Sequence, residues 1–314
     1  MTPSISSKKR IEEMETEISE LKKEINDLKK GEFTFDNKQI DCKILTGITL
    51  FLFTSILSRF KVPMFKTVSN KFALFLTLYY MRHGDSKLVV SILFNISKSF
   101  TGKIIKTTLK YLCVILKDCV YWPDRNLVQH NNSCSNKWKL FKDVISLIDC
   151  FEVKTQRPLN LNNRAQFWSH YKHHSTTKFL ISVTPQGAIS FISEGWGGRV
   201  SDKEIFLKSR YCSNLKRGDA IAMDRGFLVK VECNLMGVKC HLPDFTKGRR
   251  QLTHLEVIRS KKLAQLRIHV ERVIGLMRNF KILTNVFPLK CKDEIDNIVF
   301  IVCALVNLRK PIVS

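Results

Sequence analysis

Three acidic residues in this 314-residue chain stand where a carboxylate is costly to leave uncompensated. Asp149 closes the apolar run Val144-Ile145-Ser146-Leu147-Ile148, and Asp224 closes Ala220-Ile221-Ala222-Met223. Glu271 lies in Arg267-Ile268-His269-Val270-Glu271-Arg272, inside a helical pattern from Leu255 to Phe280. A carboxylate at the end of a buried strand is expensive to desolvate unless something positive meets it. Three that converge repel one another, and divalent cations relieve that repulsion. Two strand-borne acids and one helix-borne acid are therefore a candidate donor set for two hard cations, Mg²⁺ or Mn²⁺, and for phosphodiester chemistry by in-line displacement. Taken singly, each acid has a plainer role: Asp149 as a turn or cap acid, Asp224 as a partner of Arg225, Glu271 as a partner of Arg267 one turn back.

The charge balance points the same way. The chain holds 52 Lys+Arg against 28 Asp+Glu, a formal net charge of +24. Such a field gathers polyanions, with DNA the expected partner and acidic membrane surfaces the competing one. Lys172, Arg199, Arg225, Arg249, Arg250 and Arg272 are candidate DNA phosphate contacts, although each alone would pass for a solvated charge. His269, two residues before Glu271, projects from another side of the helix and is expected to pack or touch DNA rather than bind metal. The ten cysteines contain no C-x-x-C pair, so neither a zinc ribbon nor a disulfide framework is expected, and reduced thiols in an intracellular compartment fit best. Cys240-His241 lacks a second pair to complete a zinc site. The most apolar window, Ile44 to Leu57, is too short to span a bilayer and reads as a buried helix, so no membrane partner is expected.

The elements that must position these residues follow from periodicity. Residues 7–30 carry Ile11, Met14, Ile18, Leu21, Ile25 and Leu28 at alternating spacings of 3 and 4, a short heptad seam. Ile at the a positions, with Glu17 and Glu24 placed to meet Lys22 and Lys29 of a second copy, predicts a parallel homodimer. A single solvated helix is the alternative. Residues 40–120 read as all-helical. Within them a helix over Asn70–Arg82, a short one over Ser86–Phe94, a turn at Asn95–Ser97 and a longer one over Ser99–Leu116 outline a helix-turn-helix, with Lys98, Lys103, Lys106 and Lys110 on the third helix. Residues 144–310 change to α/β. Strands are predicted at Val144–Asp149, Lys178–Thr184, Ala188–Ser193 and Ala220–Asp224, with a helix at Asp202–Ser209. A loop-rich stretch runs from Leu228 to Gly248, and the capping box Thr253-His254-Leu255-Glu256 opens the glutamate helix. That order is the order of a ribonuclease-H-like α/β catalytic domain.

At these residues the sequence resembles the DDE superfamily endonucleases of the Harbinger-like transposases. Asp149-Cys150-Phe151-Glu152 with Arg157-Pro158 resembles that family's first-aspartate block. The run Ser169 to Lys178 is similar to its Tyr-Lys block, and Gly197-Gly198-Arg199-Val200-Ser201-Asp202-Lys203 to its Gly-x-x-Ser-Asp segment. Gly218 to Phe227 resembles the second-aspartate block, and Arg267 to Arg272 with Asn279-Phe280-Lys281-Ile282-Leu283 the glutamate helix. The likeness covers about residues 145 to 308, and the helices near 70–117 resemble, more loosely, the helix-turn-helix that precedes this domain in relatives. Met223 and Trp196 depart from the family's usual residues without removing an acid. The resemblance implies DNA transposition by a divalent-metal-dependent nuclease in the nucleus, with Asp149, Asp224 and Glu271 as metal ligands. No Cys/His module precedes Cys42, so recognition of element ends is expected to involve a separate DNA-binding partner protein. An adopted or decayed relative that binds DNA without cutting is the alternative.

Overall fold

Five helices lie between residues 39 and 115: α1 (Gln39–Thr46), α2 (Leu50–Leu57), α3 (Asn70–His83), α4 (Lys87–Leu93) and α5 (Lys98–Ile115). Most of them begin or end at a residue whose chemistry suits a helix terminus. The hydroxyls of Thr49, Ser69, Ser86 and Ser97 accept from the N–H groups of Leu52, Phe72, Val89 and Phe100, satisfying donors that a helix leaves open at its start. Gly84, at φ 70°, closes α3 in the left-handed conformation that side chains with a Cβ disfavour. α3 is the core helix, burying Phe72, Leu74, Leu76, Leu78, Tyr80 and Met81. α4 and α5 are joined by four residues and bend by 106° at the break. α5 buries Ile104, Ile105, Leu109 and Leu112 and leaves Lys98, Lys103, Lys106 and Lys110 exposed.

This computed structural model describes residues 10, 14–22, 39–134, 140–244 and 250–309. The chain divides into two compact units, residues 1–115 and 116–314. Of the predicted coil, residues 14–22 are helical and leave Met14 and Ile18 exposed; apart from Arg10, its other residues lie outside those described. Among the described residues no single helix is long and apolar enough to cross a membrane. None of the ten cysteines forms a disulfide.

The second unit is a mixed α/β structure. A helix not expected from the sequence, α6 (Arg125–Cys134), precedes the sheet, and its buried Asn132 donates through Nδ2 to the carbonyls of Lys142 and Val144, pinning the first strand's start. β1 (Val144–Lys154) pairs antiparallel with β3 (His174–Val183) and parallel with β6 (Ala220–Ala222), which in turn pairs parallel with β7 (Lys239–His241). β2 (Trp168–Ser169), β5 (Trp196–Gly197) and β4 (Ile189–Ile192) line up along the other edge of β3. Between them run α7 (Leu161–Phe167), α8 (Asp202–Lys208) and α9 (Lys230–Leu235); α10 (His254–Met277) and α11 (Lys292–Asn307) close the unit. α11 is buried along most of its length, from Ile295 to Val306, and packs against α10 and β4.

Two expectations are corrected here. β1 does not end at Asp149 but continues to Lys154, because pairing with β3 holds the polar half of the strand extended. β6 stops at Ala222, two residues short of Asp224. Within the loop-rich stretch 228–248 lie α9 and β7, six and three residues long, too short to leave a periodic signal.

Candidate active site

The parallel register of β1 and β6 sets the level of the two aspartates. Leu147 lies opposite Ala222, the last pair of that ladder, and Asp149 and Asp224 each come two residues later. The acids therefore emerge side by side where the parallel strands part, the place where open α/β sheets form their crevices. Glu271 reaches the same crevice from α10. The capping box predicted at Thr253 and Glu256 is present and fixes that helix's start. Leu263, Leu266, Val270, Val273 and Met277 bury its inner face, so Arg267, Glu271, Ile274 and Arg278, spaced 4, 3 and 4, form one stripe along the opening. All three predicted acids line one cleft of about 640 Å³, together with Glu152, Tyr171, Lys172, Lys178 and Asp202.

The electrostatics of the cleft are those of crowded carboxylates. Burial pushes the Asp149 carboxyl up to about 6, and the charges of Asp202 and Asp224 push the same way. A hydrogen bond from the Cys150 N–H, at 2.8 Å, and the Arg267 guanidinium oppose the rise without cancelling it. Arg267 reaches Asp224 at 3.4 Å, a partner 43 positions away rather than the one-turn neighbour expected from the sequence. Lys178, mostly buried in β3, meets Asp202 at 3.1 Å and Glu152 at 3.8 Å and donates to the Val200 carbonyl at 3.0 Å. Thr176 Oγ1 also donates to Glu152, at 2.7 Å. Asp202 opens α8 behind Ser201, whose hydroxyl accepts from the Glu204 N–H.

The donor set suits a hard divalent cation: the acids offer only oxygen, burial makes the charge of Asp149 costly without a cation nearby, and each lines the same opening. Among the described residues no three His, Cys, Asp or Glu side chains are already gathered closely enough to clasp an ion. In this conformation Arg267 supplies positive charge at Asp224.

The predicted cations divide. Lys172 lines the cleft. Arg199 lines a separate groove with Arg157 and Arg164. Arg250 and Arg272 are exposed and line neither. The side chain of Arg225, and all of Arg249, lie outside the described residues. His269 is buried, in keeping with a packing role, and His241 meets Asp143 at 3.4 Å. Sequence reasoning gave no role to Lys178, Asp202 or Arg278, and considered Arg267 only as a helix neighbour of Glu271. Lys178 carried a usable signal, a charge inside the apolar strand Thr177-Lys178-Phe179-Leu180, where burial demands a partner.

A family model described as DDE superfamily endonuclease matches residues 148–307, from β1 to the end of α11. Among curated proteins none matches the chain.

Proposed function

Because this chain belongs to the DDE superfamily endonucleases, we propose that it is a divalent-metal-dependent DNA endonuclease of transposase type, Harbinger-like in its blocks, that cuts and joins phosphodiester bonds by in-line displacement. The observation that carries the reading is the shared register: Asp149 and Asp224 both lie two residues past the Leu147–Ala222 pair, facing Glu271 across one cleft. The order of strands and helices around that pair supports a ribonuclease-H-like reading of the unit.

Asp149, Asp224 and Glu271 are the residues that would hold Mg²⁺ or Mn²⁺. Bound there, two such ions supply the activation of an attacking water or 3′-hydroxyl and the neutralisation of the leaving oxygen. The chain's own part is positional and electrostatic. Asp149 is fixed by the Cys150 N–H, and Asp224 is turned toward α10 by Arg267. Lys178 ties Asp202 and Glu152 to the wall. Lys172 and Arg278, which also line the cleft, are placed to meet DNA phosphates.

Three further parts belong to the proposal. The 106° bend between α4 and α5, within the range of helix-turn-helix motifs, and the exposed lysine face of α5 support DNA binding by α3–α5. The apolar positions exposed on the helix at 14–22 support a homodimer through residues 7–30. Action on DNA places the protein in the nucleus, with a separate DNA-binding partner recognising the element ends.

The test is cleavage of labelled duplex DNA in Mg²⁺ and Mn²⁺, wild type beside Asp224→Asn, on DNA that includes the element's own ends. Metal-dependent cutting that vanishes in the variant while binding survives supports the nuclease. The second reading, a relative that binds DNA without cutting, is favoured by the Arg267–Asp224 pair, in which a cation of the chain itself already meets one of the acids. Equal binding with no cutting by either protein would select it.

A further inference from the structure

Beside the β2–β3 hairpin lies a groove of about 420 Å³ whose chemistry differs from that of the cleft. Arg157, Arg164, Arg199 and His170 line it beside the half-buried ring of Trp168 and the side chain of Leu161, and among the described residues no acidic one contributes to its wall. Three guanidinium groups gathered without a carboxylate repel one another, so their assembly favours an anion. One guanidinium is held in place, and so is the backbone that carries another. Arg164 Nε donates to the Pro158 carbonyl at 3.3 Å, and the Arg199 N–H donates to the Gln166 carbonyl at 3.1 Å. Gly197 makes the second contact possible, since a Cβ there would lie 2.6 Å from the same Gln166 oxygen. The Arg199 backbone is thus anchored to the end of α7.

Size and neighbourhood narrow the ligand. The volume is that of a small-ligand pocket, far too small for a duplex but enough for a single nucleotide. An indole among arginines is the pairing that proteins use to stack an unpaired base while holding its phosphate. Trp168 and Ser169 pair with Ser175 and His174, so residues 170–173 form the hairpin's turn. His170 at the start of that turn faces the groove, whereas Tyr171 and Lys172, next in the chain, face the cleft. Consecutive residues are about 3.8 Å apart, so a strand leaving the cleft meets the groove within a few nucleotides.

We infer that this groove captures one unpaired nucleotide of the DNA strand flanking the cut, its base stacked on Trp168 and its phosphate met by Arg157, Arg164 and Arg199. The inference rests on the nuclease reading of the cleft and assigns it a subsite for frayed or single-stranded flanks.

The test uses the full chain in EDTA, where no cutting occurs. Affinities are measured for a labelled duplex with a short single-stranded tail, at either end, and for the same duplex blunt. The wild type is expected to prefer the tailed DNA. Trp168→Ala loses about five- to a hundredfold of affinity for tailed DNA, the size of one base stack. The same variant stays within about twofold of wild type on the blunt duplex, and Trp168→Phe restores most of the loss. Arg199→Gln lowers the salt slope of tailed-DNA binding by about 0.7, the share of one single-strand phosphate contact. Equal affinity for tailed and blunt DNA, an equal loss on both in Trp168→Ala, or an unchanged slope in Arg199→Gln would overturn the inference. Should Trp168→Ala fail to fold, Trp168→Phe and Arg199→Gln decide the matter. Cleavage assays in Mn²⁺ separate the two claims. Cutting without a tail preference keeps the nuclease and removes the subsite; a Trp168-dependent preference without cutting does the reverse.

Discussion

The cleft and the groove share one hairpin and use their cations in opposite ways. In the cleft Arg267 is engaged by Asp224 at 3.4 Å, and Lys178 by Asp202 at 3.1 Å and Glu152 at 3.8 Å. In the groove Arg157, Arg164 and Arg199 line a wall to which no acid among the described residues contributes. A cation tied to a carboxylate orients that carboxylate and offsets its burial. A cation without one remains available to a phosphate. The cleft's charge is thus largely balanced within the protein, whereas the groove's is not.

The largest expected effect separates chemistry from holding. Glu271→Gln should lower metal-dependent cleavage by roughly a thousandfold or more, the loss of several kcal/mol of charge stabilisation. It should leave any preference for tailed DNA intact, as read by single-turnover cleavage beside binding. Loss of both together would merge the two regions into one.

Next comes stability against pH in the metal-free protein. Asp149 has its folded value raised to about 6 from the ordinary 3.8, so its ionisation opposes folding. Its favourable contribution is complete below about pH 4 and disappears as pH rises through 6. Asp149→Asn is insensitive to this, so it should gain on the order of 2–3 kcal/mol over wild type at pH 8 and nothing at pH 4. Urea unfolding at the two pH values measures it, and a gain independent of pH would contradict burial of the carboxyl as the cause.

Arg267→Met removes the cation that α10 sets against Asp224. Asp224 is half exposed, so the metal-free protein should lose no more than about 1 kcal/mol. Millimolar Mn²⁺ should recover that loss, giving a larger metal-induced rise in Tm than in wild type. The smallest change is Lys172→Gln, which should lower the salt slope of duplex binding by about 0.9, one phosphate contact, while leaving the pH dependence of stability untouched.

Much of this was legible in the chain because it is written in short range. Asp149 and Asp224 stand out because each interrupts an apolar run, and Glu271 because it follows a capping box and a helical period. The helices α3 to α5 announce themselves through Ser caps, Gly84 and repeating apolar positions. Legibility failed where the signal was short or polar. β1 runs through Glu152 and Lys154, charges that read as the end of a strand until β3 is seen beside it. α6 is polar enough to pass for a loop, yet its Asn132 ties down the first strand.

What the sequence determined by itself, then, is which side chains are costly and in what kind of element they sit, since propensity, capping and periodicity act over a few residues. Tertiary structure alone decided which of them meet. The parallel pairing of Leu147 with Ala222 levels two aspartates 75 positions apart in the chain, and α10 turns Arg267 to the second of them. The folding of residues 157 to 199 around one hairpin gathers arginines that are scattered in the sequence. Such meetings depend on strand register and helix packing, which sum many weak contacts over the whole unit, and no local run of residues encodes them.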